Sequence, residues 1–176
     1  VFPDIAIPSP TYSVAQAPDK DIYIGTESNG LYIYSENWKL KKHVPIDGII
    51  ATILPDNNGD IWLGLDETGI CLFNKNKQTF TWLHKDNTNL NNNSIRTFVP
   101  YGDSSILVGT FRGLNILNKK ELTITPANIN IAGKGGLSHY SIHSMLIDKD
   151  QTLWIGTYSA GVNYHSPFYR PVSYIT

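Results

Sequence analysis

"TLWIGTYSAGVNY", residues 152–164, is apolar on both faces of a short strand, breaks at Gly156 and resumes after Gly161 with a second short strand. A stretch close to it occurs three more times: "DIYIGTESNGLYIY" at 21–34, "DIWLGLDETGICLF" at 60–73 and "SILVGTFRGLNIL" at 105–117. The first Gly of each falls at 25, 64, 109 and 156, which gives spacings of 39, 45 and 47 residues. The second Gly falls at 30, 69, 113 and 161.

A period of about 40 to 50 residues is that of one blade in a β-propeller. Each repeat reads as four short strands. The first carries Val14, Ile53, Phe98 or Met145, each 11 residues before its Gly. It runs into a polar turn such as "PDNNGD" or "DKDQT", whose residues favour chain reversal. The second strand sets Ile22/Ile24, Ile61/Leu63, Ile106/Val108 and Leu153/Ile155 on one face and Tyr23, Trp62, Leu107 and Trp154 on the other. A strand with one wet face alternates with polar residues, so these strands lie between neighbouring sheets. The third follows the second Gly. The fourth is more polar, as an outer edge requires: "NWKLKKHV", "QTFTWLH", "ELTITP" and "PVSYIT".

Gly between the second and third strands supplies positive φ for a short reversal, and Gly beside a large side chain leaves room for close approach. No window of a dozen residues sustains helical periodicity, so almost no helix is expected. The fold class is therefore all-β: a propeller of four-stranded antiparallel blades. The repeats span roughly 14–43, 50–84, 95–126 and 142–176, and residues 1–13 read as the remnant of a preceding blade. A larger ring cut to four blades exposes apolar flanks at both ends. Closure into a smaller ring, or pairing of two copies, is the expected remedy.

Composition narrows the function classes. The chain has 176 residues, 41% hydrophobic and 16% charged, with net charge −1, which suits one soluble globular unit. Lys and Arg are scattered, with only Lys39, Lys41 and Lys42 locally dense, so no basic stripe points to nucleic acid. No apolar run approaches the roughly 20 residues of a membrane helix, and "VFPDIAIPSP" lacks the features of a secretion signal. One cysteine, Cys71, precludes an internal disulfide.

The pattern resembles the two-component regulator propeller repeat, found in periplasmic sensor regions of Bacteroides-type hybrid two-component system proteins. It is closest in "SIHSMLIDKDQTLWIGTYSAGVNYHSPF" and "IIATILPDNNGDIWLGLDETGICLF". "APDKDIYIGT" lacks the Trp, and "PYGDSSILVGT" lacks both the Trp and the turn Gly before the strand. The resemblance implies a piece of a larger, seven-bladed propeller in a periplasmic ectodomain. It further implies a membrane anchor and a histidine kinase elsewhere in the parent protein, dimerisation, and oligosaccharide ligands.

Candidate sites are few. "DNNGD", Asp56 to Asp60, alternates oxygen ligands but lacks the following Gly and bidentate Glu of a Ca²⁺ loop, so it reads as a turn. His139 and His143 in a strand lie ~13 Å apart, too far for a shared metal. His165 stands where Tyr34, Phe73 and Leu117 stand in the other repeats and reads as packing. Trp62 and Trp154 hold a framework position and read as structural, whereas Trp38 and Trp82 on outer strands are freer to be exposed. "GKGG" at 133–136 reads as a connection without phosphate. Loops present variable side chains on a rigid scaffold. Glu27, Arg112 and Tyr158, which follow "GT", and Asp66, which follows the equivalent "GL", are therefore the expected ligand-binding residues.

No nucleophile elbow, phosphate loop or paired carboxylates are present, and no cofactor or metal is called for. The reading is a non-catalytic ligand-sensing module. Two alternatives stand beside it: a propeller lyase or hydrolase with a site at the channel mouth, and a purely structural scaffold.

Overall fold

A computed structural model of the chain describes residues 6–127 and 137–167. Its strands are β1 (Thr11–Gln16), β2 (Ile22–Thr26), β3 (Leu31–Tyr34) and β4 (Leu40–Val44), followed by β5 (Ile50–Pro55), β6 (Asp60–Leu65), β7 (Gly69–Asn74) and β8 (Thr79–Leu83). Then come β9 (Ile95–Tyr101), β10 (Ser105–Thr110), β11 (Gly113–Asn118), β12 (Ile124–Pro126), β13 (Ile142–Ile147), β14 (Leu153–Thr157) and β15 (Val162–His165). They form four antiparallel meanders, β1-β2-β3-β4, β5-β6-β7-β8, β9-β10-β11-β12 and β13-β14-β15, with no helix among the described residues. The expected fourth strand of the last repeat, "PVSYIT", lies outside the described residues, as does "GKGG".

One register serves all four sheets. Val14, Ile53, Phe98 and Met145 pair with Ile24, Leu63, Val108 and Ile155. In each sheet the ladder then slips by one residue, leaving Tyr12, Ala51, Arg96 and His143 as bulges. The first strands pack on one another in turn, β1 on β5, β5 on β9 and β9 on β13, and so form the inner wall. β4 and β8, exposed along most of their length, are outer edges.

The sheets interlock by a repeated rule. Tyr23 packs with Ile61, Leu63 and Phe73 of the next sheet, Trp62 with Ile106, Val108 and Leu117, and Leu107 with Leu153 and Ile155. The first Gly of each repeat makes this approach possible. A Cβ at Gly64 would stand 2.5 Å from Ile95 Cγ2, and one at Gly109 would stand 2.7 Å from Ile142 Cγ2. Ile50, Ile95 and Ile142 are thereby fully buried, each contributing about 1.5–3 kcal/mol. The second Gly does the other job: Gly30, Gly69, Gly113 and Gly161 have φ of 77°, 103°, 121° and 74°.

Three expectations change. Among the described residues the four sheets do not close into a ring: Tyr23, Trp62 and Leu107 are 0%, 1% and 0% exposed, whereas Trp154 in the same position is 40% exposed. No next sheet covers it among the described residues, so the structural reading holds for Trp62 and not for Trp154. Residues 11–13, read as part of an earlier blade, belong to β1 of the first sheet. Ahead of them, Ile7 packs on Ile22, Ile24, Tyr32 and Tyr34 along that sheet's free flank.

Candidate functional site

The connection after each second strand, together with the start of each inner strand, forms one end of the assembly. The backbone there is the same four times. Glu27 N–H donates to the Pro10 carbonyl at 2.9 Å, Asp66 N–H to Ile49 at 3.0 Å, Phe111 N–H to Ser94 at 3.0 Å and Tyr158 N–H to Ser141 at 3.0 Å. The Thr of "GT" ties the loop across its base. Thr26, Thr110 and Thr157 hydroxyls donate to the carbonyls of Gly30, Gly113 and Gly161 at 2.8, 3.0 and 2.9 Å. In the second sheet Leu65 fills this place with a fully buried side chain. The loops are therefore fixed by hydrogen bonds that leave the next residue free to vary.

That register corrects one expected residue. The equivalent of Glu27, Asp66 and Tyr158 in the third sheet is Phe111, not Arg112, because Phe111 is the residue directly after Gly109–Thr110. Arg112 is exposed beside it. Glu27 and Asp66 are half-buried, and Tyr158 is exposed. No hydrogen bond or ion pair joins these four expected residues to one another among those described. Asp66 instead pairs with Arg96, Nη1 to Oδ2 3.3 Å, across the boundary between the second and third sheets.

Arg96 was not anticipated from sequence, and neither were the other bulged residues Tyr12, Ala51 and His143. A bulge re-aims one side chain of an inner strand, and here it does so once per sheet at the same end. Two buried asparagines fix the long connections that complete this end. Asn115 donates to Asn91 Oδ1 at 2.8 Å and accepts from Asn91 N–H at 3.2 Å. Asn163 donates to Ser138 Oγ at 2.7 Å and accepts from Ser138 N–H at 3.1 Å.

The opposite end is built from charged turns. Lys75 Nζ reaches Asp19 at 2.5 Å and Asp21 at 3.4 Å, and Lys41 Nζ reaches Asp21 at 2.7 Å. The Lys75 hydrogen bond holds the Asp19 carboxyl below its ordinary value, against the opposing effect of burial. Burial would lower Lys75, but Asp19 and the neighbouring Tyr23 outweigh it and raise it. Burial raises the Tyr23 phenol, with Lys75 opposing. In "DNNGD", Asn58 bonds both to Asp60 N–H and to the Asp60 carboxylate, and Asn74 donates to that same carboxylate at 2.6 Å. The oxygens that resembled metal ligands thus serve a turn. His139 Nδ1 accepts from Ser141 N–H at 3.0 Å.

Two outer-strand aromatics stand out. Phe80 and Trp82 on β8 are 44% and 36% exposed and line an open groove of about 350 Å³ with Pro45, Ile46, Asp47 and Thr68. Trp38, 40% exposed with φ of 60°, sits in a turn away from this groove.

Residues 136–159 match the two-component regulator propeller family. No curated protein matches the sequence. Among solved structures, the extracellular domain of a hybrid two component system from B. thetaiotaomicron is 30% identical, with a TM-score of 0.67 over 89% of this chain and 20% of that one. A second such domain from B. thetaiotaomicron is 21% identical, with a TM-score of 0.69 over 88% of this chain and 21% of that one. A computationally designed protein is 9% identical, with a TM-score of 0.66 over 92% of this chain and 93% of that one. The chain thus spans about a fifth of the length of the extracellular domains it resembles.

Proposed function

From a chain that carries a two-component regulator propeller repeat and shares its fold with extracellular domains of hybrid two component systems, we propose that these four sheets are a ligand-sensing part of a periplasmic sensor region and carry no catalytic step. The observation behind this reading is the varied rim. Within each set, positions 12, 51, 96 and 143 and positions 27, 66, 111 and 158 share one backbone, and together the eight hold side chains of seven kinds. A fixed frame with varied side chains serves recognition.

The ligand class is an oligosaccharide. Support comes from the outer groove, where the flat faces of Phe80 and Trp82 offer C–H stacking and Asp47 and Thr68 offer acceptors for hydroxyl groups. Signalling then runs through a kinase outside this chain, with two copies in the working assembly. A ligand favours one dimer arrangement only by its difference in affinity for the two, a few kcal/mol for a decisive shift.

Calorimetry and a glycan array on the intact ectodomain, run beside this chain, test the reading. Saturable binding by both is expected, and Trp82→Ala should weaken it by roughly fivefold, about 1 kcal/mol, without lowering the melting temperature. Binding by the ectodomain alone would move the site out of these sheets. Equal binding by the variant would move it out of the groove.

A further inference from the structure

The chain contains two Asn–Gly peptides, Asn29–Gly30 and Asn58–Gly59, and the fold treats them oppositely. In such a pair the Asn side-chain amide is open to attack by the following backbone nitrogen, because Gly has no Cβ to shield it and its backbone turns freely. Asn29–Gly30 is fixed. Gly30 is buried, and its carbonyl accepts from both the Thr26 N–H and the Thr26 hydroxyl. The Asn29 N–H donates to Thr26 Oγ1 at 2.9 Å, and its carbonyl accepts from His43 Nε2 at 2.6 Å. The Val44 and Ile46 backbones stand against the bare Gly30 Cα.

Asn58–Gly59 is open. It lies in the first turn of the second sheet, between β5 and β6, with Asn58 exposed, and the first turns of the other sheets carry no Asn–Gly. The Gly59 N–H donates to the Asp56 carbonyl at 3.3 Å, long for such a donor. The Asn58 side chain curls forward over that nitrogen. Its Oδ1 accepts from the Asp60 N–H at 3.0 Å, and its Nδ2 donates to Asp60 Oδ2 at 2.8 Å. The first of these bonds closes a ring with Asn58 Cγ on one side and Gly59 N on the other, and it draws electron density from Cγ. A Cβ at Gly59 would meet only the side-chain amide of Asn76.

Both lysine clasps between sheets are anchored at this turn. Lys75 Nζ grips Asp19 and Asp21 of the first sheet, and the Lys75 N–H donates to the Gly59 carbonyl at 3.0 Å. Asp56, at the start of the turn, pairs with Lys119 Nζ of the third sheet at 3.0 Å.

We infer that Asn58–Gly59 is a self-modification site, and that its conversion to isoaspartate loosens the clasp between the first and second sheets. Hydroxide removes the Gly59 N–H proton, the nitrogen bonds to Asn58 Cγ, and the Cγ–Nδ2 bond breaks. Nδ2 leaves as ammonia with a proton from water, which returns the hydroxide. A second water opens the cyclic imide at either carbonyl, so each event consumes one water and releases one ammonia. Opening at the main-chain carbonyl routes the backbone through the former side chain and lengthens it by one methylene. The Gly59 carbonyl then moves away from the Lys75 N–H. Either product also sets a carboxylate against Asp60 where Nδ2 had donated a hydrogen bond.

The test is incubation of the full chain in mildly alkaline buffer, native and unfolded in guanidinium, with peptide mapping that separates aspartate from isoaspartate. In the native chain Asn58 should convert at least about tenfold faster than Asn29, which reacts only when its loop opens; unfolded, the two should differ by less than about threefold. Native chain carrying isoaspartate at 58 is then isolated by ion exchange. Its Lys75 amide should exchange with solvent about tenfold faster than in the unconverted chain. The Asp66 amide, bonded to Ile49 at the other end of the sheet, should exchange as before. The inference is overturned if Asn29 converts as fast as Asn58 in the native chain, or if the preference for Asn58 persists unchanged on unfolding. It is also overturned if isoaspartate at 58 leaves the Lys75 amide as slow as before.

Discussion

Replacing Gly64 with Ala tests the rule that holds the sheets together. Gly64 has no positive φ to preserve, and Gly within a strand is weaker than Ala by about 0.5–1 kcal/mol, so local propensity alone favours the change. Packing opposes it. The new methyl would stand 2.5 Å from Ile95 Cγ2, 2.5 Å from Thr52 Cγ2 and 3.1 Å from Ile95 Cβ, whereas carbons rest at about 3.5–4.0 Å. The second and third sheets must therefore part by about 1 Å at a fully buried contact. Overpacking of this kind costs about 1–3 kcal/mol, and two branched neighbours, Thr52 of the same sheet and Ile95 of the next, put Gly64→Ala near the top of that range. At about 2–4 °C per kcal/mol for a chain of this size, the melting temperature should fall by about 5–10 °C.

Urea denaturation followed by circular dichroism measures the loss, and two companions give it meaning. Gly156→Ala meets only the rotatable Ser144 hydroxyl and should cost less than about 1 kcal/mol. Ile95→Ala alone should cost about 2–5 kcal/mol as a buried truncation. Combined with Gly64→Ala it should cost about 1 kcal/mol less than the sum, because the colliding methyl is gone. Additivity within about 0.5 kcal/mol, or equal costs at 64 and 156, would refute the interlock.

Other expectations are simpler to state. Burial pushes the Cys71 thiol up to about 12, so at mildly alkaline pH a thiol reagent should label it only as fast as the chain unfolds; rapid labelling of the native protein would contradict its placement. Asp19 titrates below its ordinary value of 3.8 when folded, so its contribution is complete above that value and is lost as pH falls through the lower folded one. Lys75→Met should flatten that acid limb in denaturation midpoints measured against pH. The fourth sheet, covered on one flank alone among the described residues, should show the fastest amide hydrogen exchange of the four, with β13–β15 exchanging ahead of β5–β7.

Much of the architecture is legible in the chain because each framework residue answers one local demand. Both-face-apolar second strands announce burial between sheets, and the paired Gly positions announce close approach and reversal. The rim is far less legible. A bulge at Arg96 or His143 arises from a slip between two strands, and no residue type at those positions marks it. Phe111 is the exception: counting from "GT" places it, not Arg112, level with Glu27, Asp66 and Tyr158, and it keeps the backbone bond to Ser94. Arg96 and Asp66 meet across a sheet boundary 30 residues apart, beyond any local pattern. Trp154 reads as framework by sequence and is exposed because burial there depends on a neighbour.

Energetics of this kind pass from sheet to sheet. Each unit buries one flank against the next, so stability accumulates at boundaries, as in other stacked repeats. The first two boundaries add a lysine-aspartate pair to the apolar contact, while the third relies on Leu107, Leu153 and Ile155. The rim follows the same boundaries, since Asp66 and Arg96 join it across the second of them. A ligand seated on that pair would touch two sheets at once and favour one angle between them over another. On the proposed function, sensing and assembly are coupled at one boundary: the wedge angle set by the Gly64–Ile95 interlock is the quantity that a ligand on the adjoining Asp66–Arg96 pair would bias.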